Sequence, residues 1–160
     1  FFKMILISKL INEGSISKKE VRLITDRYKL QKRRWRGKAE DGVDFAFEMS
    51  ETIHHGSVFY QTESHLYRIC QLSEKVITIK LDCSSNEAAN IGWQIGNLHM
   101  PMEVTESQIR VVDDPAVRNL FQNMGFDYQL KSEIFQPIKG AIGIGHSHDH
   151  NMGHDYEHSH

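Results

Sequence analysis

The last fifteen residues of the chain, 146–160, concentrate side chains that bind metal ions. They read HSHDHNMGHDYEHSH and hold six of the ten histidines, with no lysine or arginine. Neutral imidazole is the commonest metal-binding side chain and suits nickel, copper and zinc. An expression tag would normally be an unbroken histidine run, whereas here other residues separate the histidines, so the composition indicates a native metal-binding tail. The candidate ligands are His146, His148, His150, His154, His158 and His160.

The spacing of these histidines does not define one rigid site. His146 and His148 are two residues apart, His154 and His158 are four apart, and Gly153 lies between the two pairs. A structural zinc site would show a Cys-x2-Cys pair with a later histidine pair, which this sequence lacks. We expect the tail to bind several ions reversibly, following the Irving–Williams order, with its carboxylates adding oxygen ligands. Such a tail handles metal ions rather than using them in catalysis.

Outside the tail, His99 is the histidine with the most informative position. It comes at the end of a predicted helix, two residues before Pro101. A helix C-terminus favours the protonated imidazole, whereas a metal ligand must be deprotonated. A lone histidine at a helix end is more often a satisfied cap than a ligand, so spacing alone leaves both interpretations open. No Ser/His/Asp or Cys/His arrangement has local support and there is no phosphate-binding glycine loop, so we expect no enzyme activity.

Composition favours a cytoplasmic globular protein. The 160 residues are 39% hydrophobic and 25% charged, with room for one domain or two small ones. No apolar run approaches the roughly 20 residues of a membrane helix, and the opening FFKMILISKL lacks the features of a signal peptide. The isolated Cys70 and Cys83 suit a reducing compartment, where such residues are usually buried.

Charge is distributed unevenly along the chain. Residues 1–38 hold twelve lysines and arginines against three acidic residues, and the remainder holds seven against eighteen. The basic part includes Lys32-Arg33-Arg34-Trp35-Arg36, in which an aromatic residue lies among cations. Such a patch is typical of a nucleic-acid-binding module. The alternatives are a solvated strand face or a docking surface for acidic partners.

The first part of the chain, residues 1–74, reads as a small all-β module. Strands are predicted over 34–39 and 43–49, joined through Asp41-Gly42, which is a strong hairpin signal. Scattered apolar residues between positions 21 and 30 are also read as strand, and a further strand pair is predicted over 58–61 and 66–72. His54-His55-Gly56 is predicted to form an exposed turn.

The second part, residues 75–138, predicts strands and helices in alternation. A β-branched strand over 76–81 precedes a helix that Ser84 caps, with Glu87 completing a capping box. Apolar residues from 88 to 98 recur at three- and four-residue spacing along this helix, on which Trp93 is expected to pack. Two short strands over 102–105 and 108–112 come next.

A second helix and a last strand complete that pattern. Pro115 opens the helix at its first position, Gly125 ends it, and the strand covers 128–135. The order β-α-β-β-α-β is typical of a ferredoxin-like domain. The predicted fold class is therefore α+β, with a β-rich module, a ferredoxin-like domain and, over 139–160, a flexible histidine-rich tail.

The segment Gly96-Asn97-Leu98-His99-Met100-Pro101 closely resembles the Gly-Asn-Arg-His-x-Pro signature of the UreE family, the nickel metallochaperones of urease maturation. The resemblance to that family extends over nearly the whole chain. It includes the basic strand before Asp41-Gly42, the order of elements in the second half and the histidine tail. The resemblance implies that His99 is the principal metal ligand. It also implies a homodimer, in which the two copies of His99 meet at the two-fold axis.

The resemblance further implies what the protein does. It would carry Ni²⁺ to the apo-urease complex, exchange ligands with the accessory GTPase assembled there, and catalyse nothing itself. The N-terminal half resembles the peptide-binding domain of Hsp40-type chaperones, which implies docking onto those partners. Nickel prefers more ligands than tetrahedral zinc, so two imidazoles completed by tail histidines suit it, although Zn²⁺ or Cu²⁺ would also bind.

The sequence departs from the family pattern in two places. Leu98 replaces the usual arginine beside the metal histidine, and residues 110–115 lack the additional histidines that some members carry there. A secondary site would therefore have to come from the tail, or less plausibly from a carboxylate such as Asp113. Two alternative functions stay open at this point: a general metal-storage or buffering protein, and a nucleic-acid-binding module that uses Arg33, Arg34, Trp35 and Arg36.

Overall fold

A computed structural model describes residues 4–12 and 17–138 of the chain. The described residues form a mixed α+β structure in which no helix is long and apolar enough to cross a membrane. The strands are β1 (Ile5–Ile7), β2 (Lys19–Thr25), β3 (Arg34–Lys38), β4 (Asp44–Glu48), β5 (Val58–Gln61), β6 (His65–Gln71), β7 (Glu74–Lys80), β8 (Met102–Val104), β9 (Gln108–Val112) and β10 (Gln129–Glu133). The helices are α1 (Arg27–Leu30), α2 (Ser85–Asn97) and α3 (Pro115–Met124).

Two three-stranded sheets make up the N-terminal half, in the orders β1-β4-β3 and β2-β6-β5. In β4, Phe45 and Phe47 are buried and alternate with partly exposed residues, as a strand with one core face requires. Phe59 meets both rings edge-on, at centroid distances of 5.0 and 5.1 Å. The predicted hairpin is confirmed, since β3 pairs antiparallel with β4 and Gly42 takes φ 88° in the connection.

One prediction for this half is wrong, because residues 27–30 form the single helical turn α1 and not a strand. The Asp26 carboxylate caps the turn by accepting a hydrogen bond from the Lys29 N–H at 2.9 Å. Leu30 then packs into the N-terminal core, while Arg27 points toward the other half of the chain. The N-terminal half is therefore β-rich but not all-β.

The C-terminal half has the element order β-α-β-β-α-β around an antiparallel sheet ordered β10-β7-β9-β8. Alternate residues of β7, Ile77 and Ile79, join a second core with Ile91 of α2 and Phe121 of α3, so both helices cover one face of the sheet. Val76 and Thr78 of β7 point to the opposite face of the sheet, which the two helices do not cover, and they are also buried.

The predicted ends of the two helices are largely confirmed. Ser84 and Glu87 form the capping box at the start of α2, and Asp114 caps α3 ahead of Pro115. Gly125 ends α3 in a left-handed conformation, with φ 69°. Helix α2 ends at Asn97, well before Pro101, so local hydrogen bonding rather than the proline ends it.

Residues 134–138, which we name the crossing segment, run from β10 at one edge of the sheet to β8 at the other. The Gln136 N–H donates to the Glu103 carboxylate at 3.1 Å, and the Ile138 N–H donates to the Met102 carbonyl at 2.8 Å. Glu103, Arg110 and Thr78 are in register on neighbouring strands, so their side chains share one face of the sheet. Thr78 faces away from the helices, and the hydrogen bond between Gln136 and Glu103 therefore lies on the face opposite them. The crossing segment therefore passes over that open face, where Phe135 is fully buried.

Contacts around Arg27 connect the two halves. Its guanidinium, on a residue only 6% exposed, donates to both carboxylate oxygens of Glu74, at 2.8 and 3.0 Å. The same group lies over the rings of Tyr28 and Phe135, at 4.4 and 5.2 Å from their centroids. Gln71 adds a hydrogen bond from its side-chain amide to the Phe135 carbonyl at 2.8 Å. These contacts hold together the start of α1, the start of β7 and the crossing segment.

The Glu74→Ala substitution should lower the free energy of unfolding by about 2 kcal/mol, because it leaves the buried Arg27 cation without its partner. The matched control is Glu48→Ala, which removes an ion pair to the largely exposed Arg34 and should cost less than about 1 kcal/mol. Urea unfolding of both variants measures the difference. Equal losses would contradict a special role for the Arg27 pair.

Candidate metal centre

His99 follows directly on the end of α2. Leu98 is the C-cap, and its N–H donates to the Ile95 carbonyl at 3.0 Å. The His99 N–H donates to the Gly96 carbonyl at 2.9 Å, which tightens the last turn and satisfies carbonyls that a helix end would otherwise leave free. The backbone of His99 is therefore fixed by the helix itself.

The backbone conformation of His99 is unusual. Its φ is 55°, and no other non-glycine residue in the described part of the chain has a positive φ. The left-handed region costs an L-residue roughly 1–2 kcal/mol, and glycine is the usual choice just after a helix. Histidine tolerates this region better than most residues, but it is not the favoured residue there. Strain held at one position is an observation from which a functional role can be inferred.

The neighbours of His99 are anchored while its imidazole is free. Leu98 and Met100 pack against the second core, and His99 between them is exposed. Among the described residues, no hydrogen bond or ion pair engages its ring, so the imidazole is not a satisfied cap. The last turn of α2 contains no basic residue, and the partial negative charge of a helix C-terminus attracts any cation bound there.

One protomer cannot complete a metal shell from its described residues. These residues contain no group of three or more histidine, cysteine, aspartate or glutamate side chains arranged to hold a metal ion. A groove of about 600 Å³ lies at the opposite end of α2, beside Cys83 and Glu87, and His99 does not line it. His99 thus offers one accessible imidazole, without a second candidate ligand beside it among the described residues.

The outer face of α2 has a composition that packing within the chain does not explain. Trp93, which the sequence suggested would pack, is 63% exposed. Gly92 and Gly96 lie on either side of it, and a Cβ at either glycine would meet nothing within 4 Å. Each glycine costs a helix roughly 1 kcal/mol relative to alanine. Neither glycine is therefore needed for packing among the described residues.

The described chain ends close to His99. Ile138, its last described residue, is hydrogen-bonded to Met102, three residues after His99. The six tail histidines, His146, His148, His150, His154, His158 and His160, lie outside the described residues. His146 follows Ile138 by eight residues, which span at most about 28 Å when extended.

The other histidines of the described residues, His54, His55 and His65, form no metal-binding group with His99. His54 and His55 are exposed in a turn at Gly56, as predicted, and His55 Nδ1 accepts the Gln71 N–H at 3.1 Å. The hydroxyl of Ser64 lies 2.8 Å from Nδ1 of His65. None of these residues provides a second ligand beside His99.

Asp113 and the cysteines do not add ligands either. Both carboxylate oxygens of Asp113 accept from Arg118 at 2.7 Å, and this hydrogen bonding lowers the pKa of Asp113. Cys70 and Cys83 are not bridged, and Cys83 is exposed although a buried position was expected.

The basic segment is not arranged as a nucleic-acid platform. Trp35 is buried and stacked on Phe47 at a centroid distance of 4.0 Å, so it is not available to stack on bases. Arg34 pairs across the strands with Glu48, and Lys38 pairs with Asp44. Of the residues predicted to act together in binding phosphates, Trp35 is thus in the core and Arg34 is in a cross-strand ion pair, whereas Arg33 and Arg36 are exposed.

Comparison with known proteins identifies related sequences. The family model described as the C-terminal domain of the UreE urease accessory protein matches residues 74–160. The chain is 24% identical to a urease accessory protein UreE of Azorhizobium caulinodans over 135 residues, which cover 83% of this chain and 64% of the relative. The proteins of the same name from Chelativorans sp. and Pseudomonas fluorescens strain Pf0-1 are 26% and 22% identical. Those two alignments cover 79% and 98% of this chain, and 82% and 94% of the relatives.

The His99→Gly substitution should raise the free energy of unfolding of the metal-free protein by about 1 kcal/mol, because glycine removes the left-handed strain. Asn97→Gly is the matched control, since Asn97 is exposed and still helical, and it should lower stability. Urea unfolding at one fixed protein concentration compares the two. A loss of stability in His99→Gly would show that the conformation of His99 carries no cost.

Proposed function

The chain belongs to the UreE family of urease accessory proteins, because the family model matches more than half of it, residues 74–160, and from this premise we propose that it binds Ni²⁺ and delivers it for assembly of the urease active site. In this proposal the protein is an accessory factor in urease maturation and has no catalytic activity of its own. The bound nickel is its cargo.

The observation that carries the proposal is the exposed imidazole of His99, which has no partner among residues 4–12 and 17–138, in a strained backbone conformation. A histidine kept where glycine would be more stable indicates selection for the side chain rather than for the fold. Imidazole is a suitable ligand for nickel. His99 is therefore proposed as the principal metal ligand.

A homodimer would supply the second imidazole. The exposed Trp93 and the unfilled space at Gly92 and Gly96 favour a surface against which another backbone packs closely. This surface is on the same helix as His99, and a two-fold axis near the end of α2 would bring both copies of His99 to one ion. We propose that α2 makes this contact.

The tail supports capture and release of the metal in this proposal. Two imidazoles leave coordination positions open, and histidines among His146, His148, His150, His154, His158 and His160 would fill them or bind further ions. Open positions also allow a ligand of the receiving protein to enter before an imidazole leaves. Zn²⁺ or Cu²⁺ would bind the same nitrogen donors in vitro.

The partners and architecture follow from the same premise. The receivers would be the urease accessory GTPase and the apo-urease complex in the cytoplasm. The β-rich N-terminal half, proposed as residues 1–74, would dock onto them. Residues 75–138 would form a ferredoxin-like metal-binding domain, and their β-α-β-β-α-β order and antiparallel sheet support that assignment. Residues 139–160 would form the histidine-rich tail.

Calorimetric titration with nickel tests the metal assignment. His99→Ala should abolish the tightest site of the dimer, whereas ending the chain at residue 145 should lower the number of ions bound more than the first affinity. His54→Ala, in the exposed turn, is the matched control and should change neither. Unchanged tight binding in His99→Ala would overturn the proposal and leave a tail-based storage protein as the better description.

Sedimentation velocity tests the dimer. Trp93→Ala and Gly96→Leu should shift the protein toward monomer and remove the tight nickel site although His99 is intact. Gly96 is exposed and a Cβ added there meets nothing within 4 Å, so the fold should survive the leucine substitution. Leu130→Ala is the control, since Leu130 is 51% exposed on β10 at the far edge of the sheet. Dimers that persist in both α2 variants would show that α2 is not the interface.

A further inference from the structure

We propose that the outer face of the sheet β1-β4-β3 binds an extended segment of a partner protein that carries an apolar residue and, two positions away, an acidic residue. The apolar side chain lies over Ala46 against Leu6, and the carboxylate pairs with Arg36. The inference deepens the proposed function and rests on it in one respect, since it takes the partner to be a protein onto which the N-terminal half docks. It adds the surface used and the chemistry of the segment recognised.

The middle row of this outer face is the first observation. Ala46 of β4 is in register with Leu6 of β1 on one side and with Arg36 of β3 on the other, so the three side chains share one face. Their sequence neighbours, such as Phe45 and Trp35, point into the core. Arg36 is exposed, and among the described residues no hydrogen bond or ion pair engages its guanidinium. One cation on this face is therefore available to a partner.

The rows on either side of the middle row are the second observation. Lys38 of β3 forms an ion pair with Asp44 of β4, and Arg34 forms one with Glu48. Two carboxylates thus flank the free charge of Arg36 along the sheet. A continuous polyanion such as a nucleic acid would meet both carboxylates, and like charges placed side by side oppose binding. A single carboxylate can pair with Arg36 without this repulsion.

The apolar side of the face is the third observation. Leu6 is 63% exposed although Ile7, the next residue, is buried, and Met4 before it is also exposed. The short side chain of Ala46 leaves room beside Leu6, where a groove of about 320 Å³ lies. This volume is at the lower end of the range for small-molecule pockets and suits one inserted side chain. Exposed apolar side chains beside a groove indicate contact with another protein.

The spacing of the strands determines the spacing of the recognised residues. Neighbouring strands are about 4.8 Å apart, so Leu6 and Arg36 are separated by roughly 10 Å across the sheet. Alternate residues of an extended segment are about 7 Å apart and point to the same side. A segment that crosses the strands with its apolar residue over Ala46 thus brings a carboxylate two positions away within reach of Arg36. Adjacent residues point to opposite sides and cannot make both contacts.

Titration of the isotope-labelled full chain with two synthetic peptides, followed by NMR, tests this spacing. Both peptides have the same composition, mainly serine and threonine with one leucine and one glutamate. In the first the glutamate is two positions after the leucine, and in the second the two residues are adjacent. The first should shift the amide signals of β1, β3 and β4 and bind at least about fivefold more tightly. Equal affinities, or no binding by either peptide, would overturn the proposal.

Substitutions on the outer face test the two contacts. Arg36→Ala removes the free cation, and Ala46→Val fills the groove, so each should weaken binding of the first peptide by about fivefold. Neither residue is buried, so both variants should remain folded. Lys29→Ala is the matched control, since it removes the same charge from an exposed position in α1 and should leave the affinity unchanged. Equal losses in Arg36→Ala and Lys29→Ala would show attraction by net charge alone and overturn the assigned contact.

Glu48→Gln tests the same charge argument through a gain of affinity. The substitution keeps the size of the side chain but frees Arg34 from its ion pair. A second cation then becomes available next to Arg36, and binding of the first peptide should strengthen by about twofold. An unchanged or weaker affinity would contradict recognition of the carboxylate by free charge on this face.

Two further measurements test other occupants of the face. A labelled single-stranded RNA should bind more weakly than the first peptide, and RNA binding that is tighter and is lost in Arg36→Ala would overturn the proposal in favour of a nucleic acid. Sedimentation velocity of Arg36→Ala and Ala46→Val should match that of the parent protein. A change of oligomeric state in both variants would assign the face to a contact between copies of the chain.

The outcomes distinguish this inference from the function on which it rests. The peptide titrations do not involve His99, so their failure would leave nickel binding intact and overturn only the docking surface. Unchanged tight nickel binding in His99→Ala, together with selective binding of the first peptide, would instead remove the proposed function and leave the docking surface standing.

Discussion

The structure around the candidate site depends on how α2 is held against the sheet. Only Ile91 and Ile95 of this helix are fully buried. Burying two such side chains contributes roughly 4–6 kcal/mol, while the two glycines of α2 cost the helix about 2 kcal/mol. Packing therefore outweighs the poor intrinsic propensity and fixes the rotation of α2. Once that rotation is fixed, Trp93 must face away from the sheet and the end of the helix must lie beside β8.

That arrangement explains how a strained residue persists at the end of α2. Leu98 and Met100 pack against the second core on either side of His99, so the chain cannot relax around it without losing those contacts. The cost of the left-handed conformation is small relative to the burial that enforces it. The same two contacts point the imidazole outward. An imidazole held in this way is accessible from solvent and has a defined position.

Local sequence signals predicted the elements whose ends depend on neighbouring residues. Ser84 with Glu87 specifies a cap, Asp41-Gly42 specifies a turn, and Pro115 and Gly125 each mark one end of α3, and all are present. The single turn α1 was missed because its buried Arg27 depends on Glu74, which is distant in sequence. The position of His99 could be predicted from Gly96 to Pro101, but its conformation could not.

The exposure of Trp93 and the path of the crossing segment were also hard to predict, because both depend on contacts between residues that are distant in sequence. Trp93 falls within an amphipathic helix, where an aromatic residue is normally read as part of the core, and only the rotation of α2 shows that it is exposed. The path of the crossing segment depends on sheet order, since the strand before it and the strand it reaches are at opposite edges.

Sheet order also distinguishes two properties of the tail that composition alone does not separate, namely its capacity for ions and the place where it leaves the fold. In the proposed function, the number of histidines would set how many ions the tail can hold, whereas the path of the chain up to Ile138 sets the edge of the sheet at which the tail begins. A histidine-rich segment leaving from β10 would have the same capacity but would begin at the edge opposite β8. The route over the open face of the sheet brings Ile138 to Met102, close to the one exposed imidazole at the end of α2. The place where the described chain ends is therefore set by the connectivity of the sheet and not by the composition of the tail.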